Sequence, residues 1–203
     1  NRLLAEVQGC KGAEANVHPC SSAPPLPCFC QTMNISFVIS TQPTQFQAVA
    51  FDPNFEANIA KLAEFGYDGV ELAVREPAQL DIANVTRVLD QYHLHVPALG
   101  TGQAFVEEHL SFTDPDEAVR AQAIERVRTH IALSSQLADT PIVIIGLIRG
   151  QVQKNVSLQQ AHGWLVDAMK SLARSAQEHG VRLAIEPINR YETNLINGVT
   201  DAL

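Results

Sequence analysis

Ile142-Val-Ile-Ile-Gly-Leu147 is the most apolar short run of the chain, and it decides the fold class. A strand that is apolar at every position is typical of a parallel sheet, because both faces of such a sheet are covered. Ser157 then predicts the start of a helix, with Gln160 completing a capping box, and Gly180 predicts its end. A further apolar run, Arg182-Leu-Ala-Ile-Glu186, follows directly. This order of strand, helix and strand predicts a parallel βαβ unit.

The same alternation extends back to Met33. Earlier strands are predicted at residues 35–40, 68–72 and 95–99, and earlier helices begin at Asp52, Asp81 and the capping box 114–117. Five strands separated by helices fit either an open doubly wound sheet or a (β/α)8 barrel. No glycine-rich loop follows the first strand, which weakens a nucleotide-binding sheet. A barrel needs about 250 residues, so residues 33–203 predict a partial α/β barrel, C-terminally truncated after about five β/α units.

Residues 1–32 differ from the rest of the chain. They contain all four cysteines and a cluster of prolines at 24, 25 and 27. Cys28 and Cys30 are separated by one residue, whereas structural zinc sites usually separate paired cysteines by two to four residues. A disordered, unassigned leader is therefore favoured over a zinc site. The domain prediction is a leader at 1–32 and a barrel part at 33–203.

The overall composition excludes some classes of function. The chain has 203 residues, 46% hydrophobic, with a formal net charge of −8. An acidic protein repels phosphate backbones, so nucleic acid is not expected as a partner. The longest apolar run, 142–148, is far shorter than the roughly 20 residues that span a bilayer. We therefore predict a cytoplasmic protein without a membrane partner.

Active sites of α/β barrels gather at the carboxyl ends of the strands. The polar residues at those predicted ends are 71–75, 101–103, Arg149 and 186–194. The densest group is the last, with two carboxylates, two amides and one guanidinium. Glu186 ends an apolar strand, where a buried carboxylate is costly unless it is paired or binds a metal. A salt bridge to Arg190 is the alternative. The histidines at 93, 95, 130, 162 and 179 are predicted to be solvated.

Five stretches at the predicted strand ends carry a resemblance to known proteins: Ser36–Thr41, Val70–Arg75, Ala98–Phe105, Val143–Gly150 and Glu186–Asn194. In this order they resemble the xylose-isomerase-like TIM-barrel sugar epimerases and isomerases. Within that superfamily the relatives include D-tagatose 3-epimerases and hydroxypyruvate isomerases, and the combination is most similar to bacterial 5-keto-L-gluconate epimerases. The resemblance covers nearly all of residues 33–203 and none of 1–32.

The resemblance implies a divalent metal (Mn²⁺, Mg²⁺ or Co²⁺) and an enediolate formed from a sugar or sugar-acid substrate. It implies that Glu186 is both a metal ligand and the catalytic base, and that Glu192 contacts the substrate. Arg149 and Arg75 are candidates for a substrate carboxylate, because a guanidinium binds one through two parallel hydrogen bonds. For Arg75 the alternative is an ion pair with the neighbouring Glu76. Gln103, predicted to be exposed after the paired glycines 100 and 102, is a candidate for a substrate hydroxyl. The remaining metal ligands are expected on strands six to eight, beyond Leu203.

Two other readings remain open. An endonuclease IV-like DNA-repair nuclease shares the barrel, but its metal cluster begins with histidines on early strands, and residues 100–103 here have none. A truncated, non-catalytic barrel fragment is also compatible with the missing ligands. The chain by itself is therefore expected to be inactive, and assembly into a homo-oligomer is left open.

Overall fold

The computed structural model describes residues 33–138 and 141–203, and the predicted leader with its cysteines lies outside them. Five strands form one parallel sheet in the order β1-β2-β3-β4-β5. Each strand pairs with its neighbour in sequence, without the reversal of order that marks a doubly wound sheet. The predicted partial barrel is therefore confirmed. The strands are β1 (Ser36–Ser40), β2 (Gly69–Ala73), β3 (Leu99–Gly100), β4 (Ile142–Ile145) and β5 (Arg182–Ile185).

Six helices accompany these strands. They are α1 (Phe55–Glu64), α2 (Ile82–Tyr92), α3 (Gly102–Glu108), α4 (Glu117–Leu137), α5 (Leu158–Glu178) and α6 (Val199–Ala202). Asp81 and Ser157 cap α2 and α5 as predicted. Two predicted starts are wrong by two residues. The carboxylates of Asp52 and Asp114 each accept a hydrogen bond from a backbone amide two residues later, and those later residues, Asn54 and Asp116, are the caps.

The third strand is much shorter than predicted. Only Leu99 and Gly100 pair as β3, and His95 makes an isolated bridge to Gly69. Pro97 lies between them and lacks the amide that a ladder needs, which explains the gap. The helix α3, which begins at Gly102, was not predicted. It follows the strand after a single residue, so the exit of β3 is helical rather than an open loop.

The core lies between the sheet and its helices in two clusters. One packs β1, β2 and β3 against α1 and α2, and its fully buried members include Ile59, Val70, Leu72, Val88 and Leu99. The other packs β4 against α4 and α5, and includes Val127, Ile131, Val143, Ile145 and Leu172. Truncating one such side chain to alanine costs about 2–5 kcal/mol. These clusters fix the direction in which the strand ends point.

His130 joins α4 to the exit of β2, and the prediction that it is solvated is wrong. It is fully buried, with Nδ1 2.7 Å from the Arg126 carbonyl oxygen and Nε2 2.7 Å from the Val74 carbonyl oxygen. Burial lowers the pKa of this imidazole, and the two carbonyls oppose that effect without overcoming it. His93, His95, His162 and His179 are exposed, as predicted.

The two outer strands are open among the described residues. In that part of the chain β1 pairs as a strand only with β2, apart from an isolated bridge between Ile39 and Ala50, and β5 pairs only with β4. Ile35 and Phe37, at the β1 edge, are 48% and 39% exposed. Open apolar edges favour pairing with another chain. None of the helices in the described residues is long and apolar enough to cross a membrane.

Candidate active site

Glu186 follows directly on β5, and its backbone amide continues the ladder by donating to the Ile145 carbonyl oxygen at 3.2 Å. Its carboxylate lies across the end of β4. A Cβ atom at Gly146 would be 2.8 Å from Glu186 Oε2, which is closer than real contacts allow. Glycine at 146 therefore gives the Glu186 carboxylate its room. The predicted exit of strand five thus carries its carboxylate to the carboxyl end of the sheet.

Glu71 is the middle residue of β2, between Val70 and Leu72, which are both fully buried on the helix side. Successive side chains of a strand face opposite sides of the sheet, so Glu71 faces the side opposite the helices. Its Oε1 lies 3.3 Å from where a Cβ at Gly100 would be. Burial, and then the like charge of Glu186, raise the pKa of the Glu71 carboxyl. Glu71 stood first in the polar segment 71–75, but sequence reasoning gave it no role.

Glu71 and Glu186 line the same cavity of ≈ 340 Å³ at the carboxyl end of the sheet. Its apolar wall comes from Val38, Phe46, Ile144, Leu147 and Ile188, and its other polar side chains are Thr101, Asn189 and Glu192. Two carboxylates thus line one cavity from β2 and β5, and Glu192 lines it as well. The predicted pair Glu186 and Glu192 is brought together here.

Glu192 is held by a local turn. Its amide donates to the Asn189 carbonyl oxygen at 3.1 Å, and the Asn189 side-chain amide donates to Glu192 Oε1. Asn189 Oδ1 also accepts from the Tyr191 amide at 2.9 Å. An asparagine that bonds the backbone two residues on is a common turn former. The alternative ion pair between Glu186 and Arg190 is not among the salt bridges of the described residues.

Arg149 lies beneath this loop, in a short 3₁₀ turn (Leu147–Arg149) that follows β4. It is completely buried. Nε and Nη2 donate to the Leu195 carbonyl oxygen at 3.1 and 3.0 Å, Nη2 also to Ile196 at 3.0 Å, and Nη1 to Gly146 at 2.8 Å. Burial lowers the pKa of Arg149, and the Glu186 carboxylate opposes that effect.

The guanidinium of Arg149 thus donates hydrogen bonds to backbone carbonyl oxygens of neighbouring segments, and it does not line the cavity. The geometry gives no support to the prediction that it binds a substrate carboxylate. It supports a structural role, because three of its acceptors belong to the two segments that carry Gly146 and Glu192.

Arg75 and Gln103 also lie away from the cavity lining. Arg75 Nε is 3.8 Å from Glu108 Oε1, whereas Glu76 pairs with Arg126 at 2.7 Å, so the alternative of an Arg75–Glu76 ion pair is wrong. Gln103, expected to be exposed, is fully buried at the start of α3. Its Nε2 donates to Ser40 Oγ at 2.6 Å, and its Oε1 has no partner among the described residues.

A divalent ion would find an incomplete set of ligands in this part of the protein. In residues 33–138 and 141–203, no group of three or more His, Cys, Asp or Glu side chains could hold a metal. The Glu186 carboxylate is nevertheless a hard oxygen donor in the lining of this cavity, which suits Mn²⁺ or Mg²⁺. Glu186 therefore fits as one ligand of a larger set.

Comparison with known proteins shows the family to which the chain belongs. A family profile described as "Xylose isomerase-like TIM barrel" matches residues 59–203. L-ribulose 3-epimerase of Methylomonas sp. (strain DH-1) is 31% identical over 143 residues, which are 68% of this chain and 47% of that protein. L-ribulose 3-epimerase of Mesorhizobium japonicum is 26% identical over 158 residues, 78% of this chain and 52% of that protein.

A solved structure gives the same likeness. The crystal structure of D-allulose 3-epimerase from Methylomonas sp. in complex with D-allulose superposes with a TM-score of 0.61 and 29% identity. The match covers 72% of this chain and 50% of that chain. The chain spans about half the length of the curated relatives it matches.

Proposed function

Because the chain belongs to the xylose isomerase-like TIM barrel family, we propose that it supplies the Glu186 half of a ketose epimerase site. The observation that carries the proposal is the Glu186 carboxylate, which lies over Gly146 in the cavity at the carboxyl end of the sheet. That end is where barrel enzymes hold their substrates. The relatives that support the reaction class are ketose 3-epimerases.

Glu186 is the general base of the proposed reaction. Its carboxylate takes the proton from the carbon next to the ketose carbonyl, which leaves an enediolate. A carboxylate is a suitable base for that carbon once the carbonyl is polarised. A divalent metal, held in part by Glu186, supplies Lewis-acid stabilisation of the charge on the oxygens when it is bound. Inversion then needs a second acid on the opposite face of the substrate.

Glu192 and Asn189 are proposed to bind hydroxyl groups of the substrate. Both border the cavity, and they are tied to each other by the Asn189–Glu192 hydrogen bond. A carboxylate and an amide offer acceptors and donors that match a polyol. The turn holds both groups before any ligand arrives, which reduces the entropy cost of binding.

A neutral ketose is the better substrate for this geometry than a keto-sugar acid. Arg149, one of the two predicted candidates for a substrate carboxylate, donates four of its five guanidinium N–H groups to the Gly146, Leu195 and Ile196 carbonyls. Arg75 lies beside Glu108 and outside the cavity lining. The D-allulose bound by the Methylomonas relative is a neutral ketose, and D-allulose is the probe that follows from this.

The test joins residues 33–203 to the second half of the Methylomonas D-allulose 3-epimerase, so that strands six to eight are supplied. With D-allulose and Mn²⁺, we expect conversion to the C3 epimer, followed by NMR. Glu186→Gln should cut turnover by at least about a hundredfold. Near-normal turnover of that variant, or a cooperatively folded but inactive hybrid, would contradict the proposal. The 203-residue chain by itself is expected to give no turnover.

Nothing in the geometry favours the endonuclease IV-like alternative. Its early strands would contribute histidines, whereas the residues by which β1, β2 and β3 line the cavity in the described part of the chain are Val38, Glu71 and Gly100. A cytoplasmic location, a homo-oligomer and the absence of nucleic acid remain predictions.

A further inference from the structure

Glu71 is a carboxylate in the cavity wall that the described residues leave without a hydrogen-bond donor. Burial and the charge of Glu186 raise the pKa of its carboxyl group, so both disfavour the charged form. The side chain rises from the centre of β2 over Gly100, where the missing Cβ leaves its oxygen room. A partly buried carboxylate without a donor lowers the stability of the folded protein.

Glu107 shows what a structural carboxylate of this chain looks like. Glu107 Oε1 accepts hydrogen bonds from the Thr44 hydroxyl and from the Gln45 amide, both at 2.7 Å. These bonds lower the pKa of the Glu107 carboxyl. Glu107 ties α3 to the segment that follows β1. Glu71 has no comparable partner in the described part of the chain, so support of the fold does not explain its position.

We propose that Glu71 contacts the substrate: its carboxylate accepts a hydrogen bond from a hydroxyl of the ketose that Glu186 deprotonates. The proposal rests on the proposed function of Glu186. Hydroxyl groups are the donors that a bound sugar brings into the cavity, and Glu71 lines that cavity together with Glu186, Asn189 and Glu192. The side chain reaches it from β2, whereas the other three come from the exit of β5. Glu71 would thus hold the sugar from the wall opposite the loop.

The first test compares stability without ligand. Glu71→Gln keeps the shape of the side chain and removes the charge that repels Glu186. We expect the melting temperature of the 203-residue chain to rise by about 2–4 °C. Glu107→Gln is the matched control and should lower it, because two donors lose their charged acceptor. A lower melting temperature for Glu71→Gln would show that Glu71 supports the fold, and the proposal would fail.

The second test measures binding of D-allulose to the same chain by NMR titration. Glu71→Ala should raise the dissociation constant for D-allulose by about tenfold or more. Glu71→Gln should raise it by less, since the amide oxygen still accepts a hydrogen bond. Glu107→Gln should bind as the wild type does. Unchanged binding by Glu71→Ala, or a wild-type chain that does not bind D-allulose, would overturn the proposal. Failure of the proposed function is seen separately, as turnover that survives Glu186→Gln in the hybrid enzyme.

Discussion

Arg149 and Glu71 lie at the same end of the sheet, and they differ in whether the surrounding chain forms hydrogen bonds with the charged group. Every guanidinium nitrogen of Arg149 donates to a backbone carbonyl of its own chain, whereas Glu71 receives no donor from the described residues. Burial disfavours the charge of both groups. Each nitrogen of the first group is hydrogen-bonded within the fold, and the group therefore joins parts of it. The second faces a cavity and is free to bind a ligand.

The comparison divides the end of the sheet into two regions. The first consists of residues 146–152 and 193–196, which are joined by Arg149 and by further bonds. The Thr193 hydroxyl donates to the Gly150 carbonyl at 3.1 Å, and Asn194 both accepts from and donates to the Val152 backbone. The second is the cavity wall with Glu71 and Glu186. A preformed first region keeps the loop that carries Glu192 in place while the second stays available for substrate.

The largest effect is expected from Arg149→Met. The substitution removes four hydrogen bonds and leaves the buried Leu195 carbonyl oxygen without a donor among the described residues, whereas the Gly146 and Ile196 carbonyls keep the backbone amides of Arg149 and Ile188. Unfolding free energy should fall by about 3–5 kcal/mol, measured by urea denaturation. Arg149→Lys keeps the charge, but an ammonium group cannot donate to both segments as a planar guanidinium does. Its loss of unfolding free energy should therefore lie between zero and that of Arg149→Met.

Arg128→Met is the matched control for Arg149. The Arg128 guanidinium is exposed and pairs with Glu125 at 3.3 Å on the surface of α4. Its removal should change the unfolding free energy by no more than about 1 kcal/mol. Equal losses of unfolding free energy for Arg128→Met and Arg149→Met would show that the buried hydrogen bonds of Arg149 stabilise the fold no more than an exposed ion pair does.

A smaller effect concerns His130 and pH. Its folded-state pKa is lowered, so the unfolded chain takes up a proton first as the pH falls. The stability that neutral His130 contributes is therefore present above the unfolded value of about 6.5 and is lost as the pH falls below it. The slope from this one group is at most about 1.4 kcal/mol per pH unit.

His130→Asn should flatten the pH dependence of the unfolding free energy between pH 7.5 and 5, because asparagine does not titrate. His162→Asn, at an exposed position of α5, provides the control for losing a histidine as such. The difference between the wild type and each variant, followed across the range, isolates the contribution of His130. A His130→Asn curve parallel to that of the wild type would contradict the burial argument.

Local sequence signals predicted the elements but not the environment of every side chain. The strand order and the caps Asp81 and Ser157 follow from periodicity and capping chemistry, which act over a few residues. Arg149 could not be placed in this way, because its acceptors Leu195 and Ile196 lie 46 and 47 residues away in sequence. Gln103 was misjudged for a related reason: the unpredicted α3 turns it into the interior against Ser40.

Glu71 is different, because the sequence did contain its signal. Val70 and Leu72 flank it in β2, and a carboxylate between two apolar residues of a strand faces the side opposite to theirs. What the sequence could not supply was Gly100, which lies on the next strand and leaves room for the Glu71 oxygen. Neighbours across strands depend on register, which short strands such as β3 specify weakly.

The smallest effect separates the two glycines beneath the carboxylates. Gly146→Ala places a Cβ 2.8 Å from Glu186 Oε2, and Gly100→Ala places one 3.3 Å from Glu71 Oε1. The first distance forces the Glu186 carboxylate to move, whereas the second requires a shift of a few tenths of an ångström. Both contacts are with the far end of a flexible side chain, so each variant should stay within about 1 kcal/mol of the wild type in stability.

Turnover by the hybrid enzyme should nevertheless fall more for Gly146→Ala, because displacement of a base by about 1 Å is costly to catalysis. D-allulose binding to the 203-residue chain should weaken slightly in Gly100→Ala. Equal turnover for the two variants would mean that the Glu186 carboxylate does not need the space over Gly146.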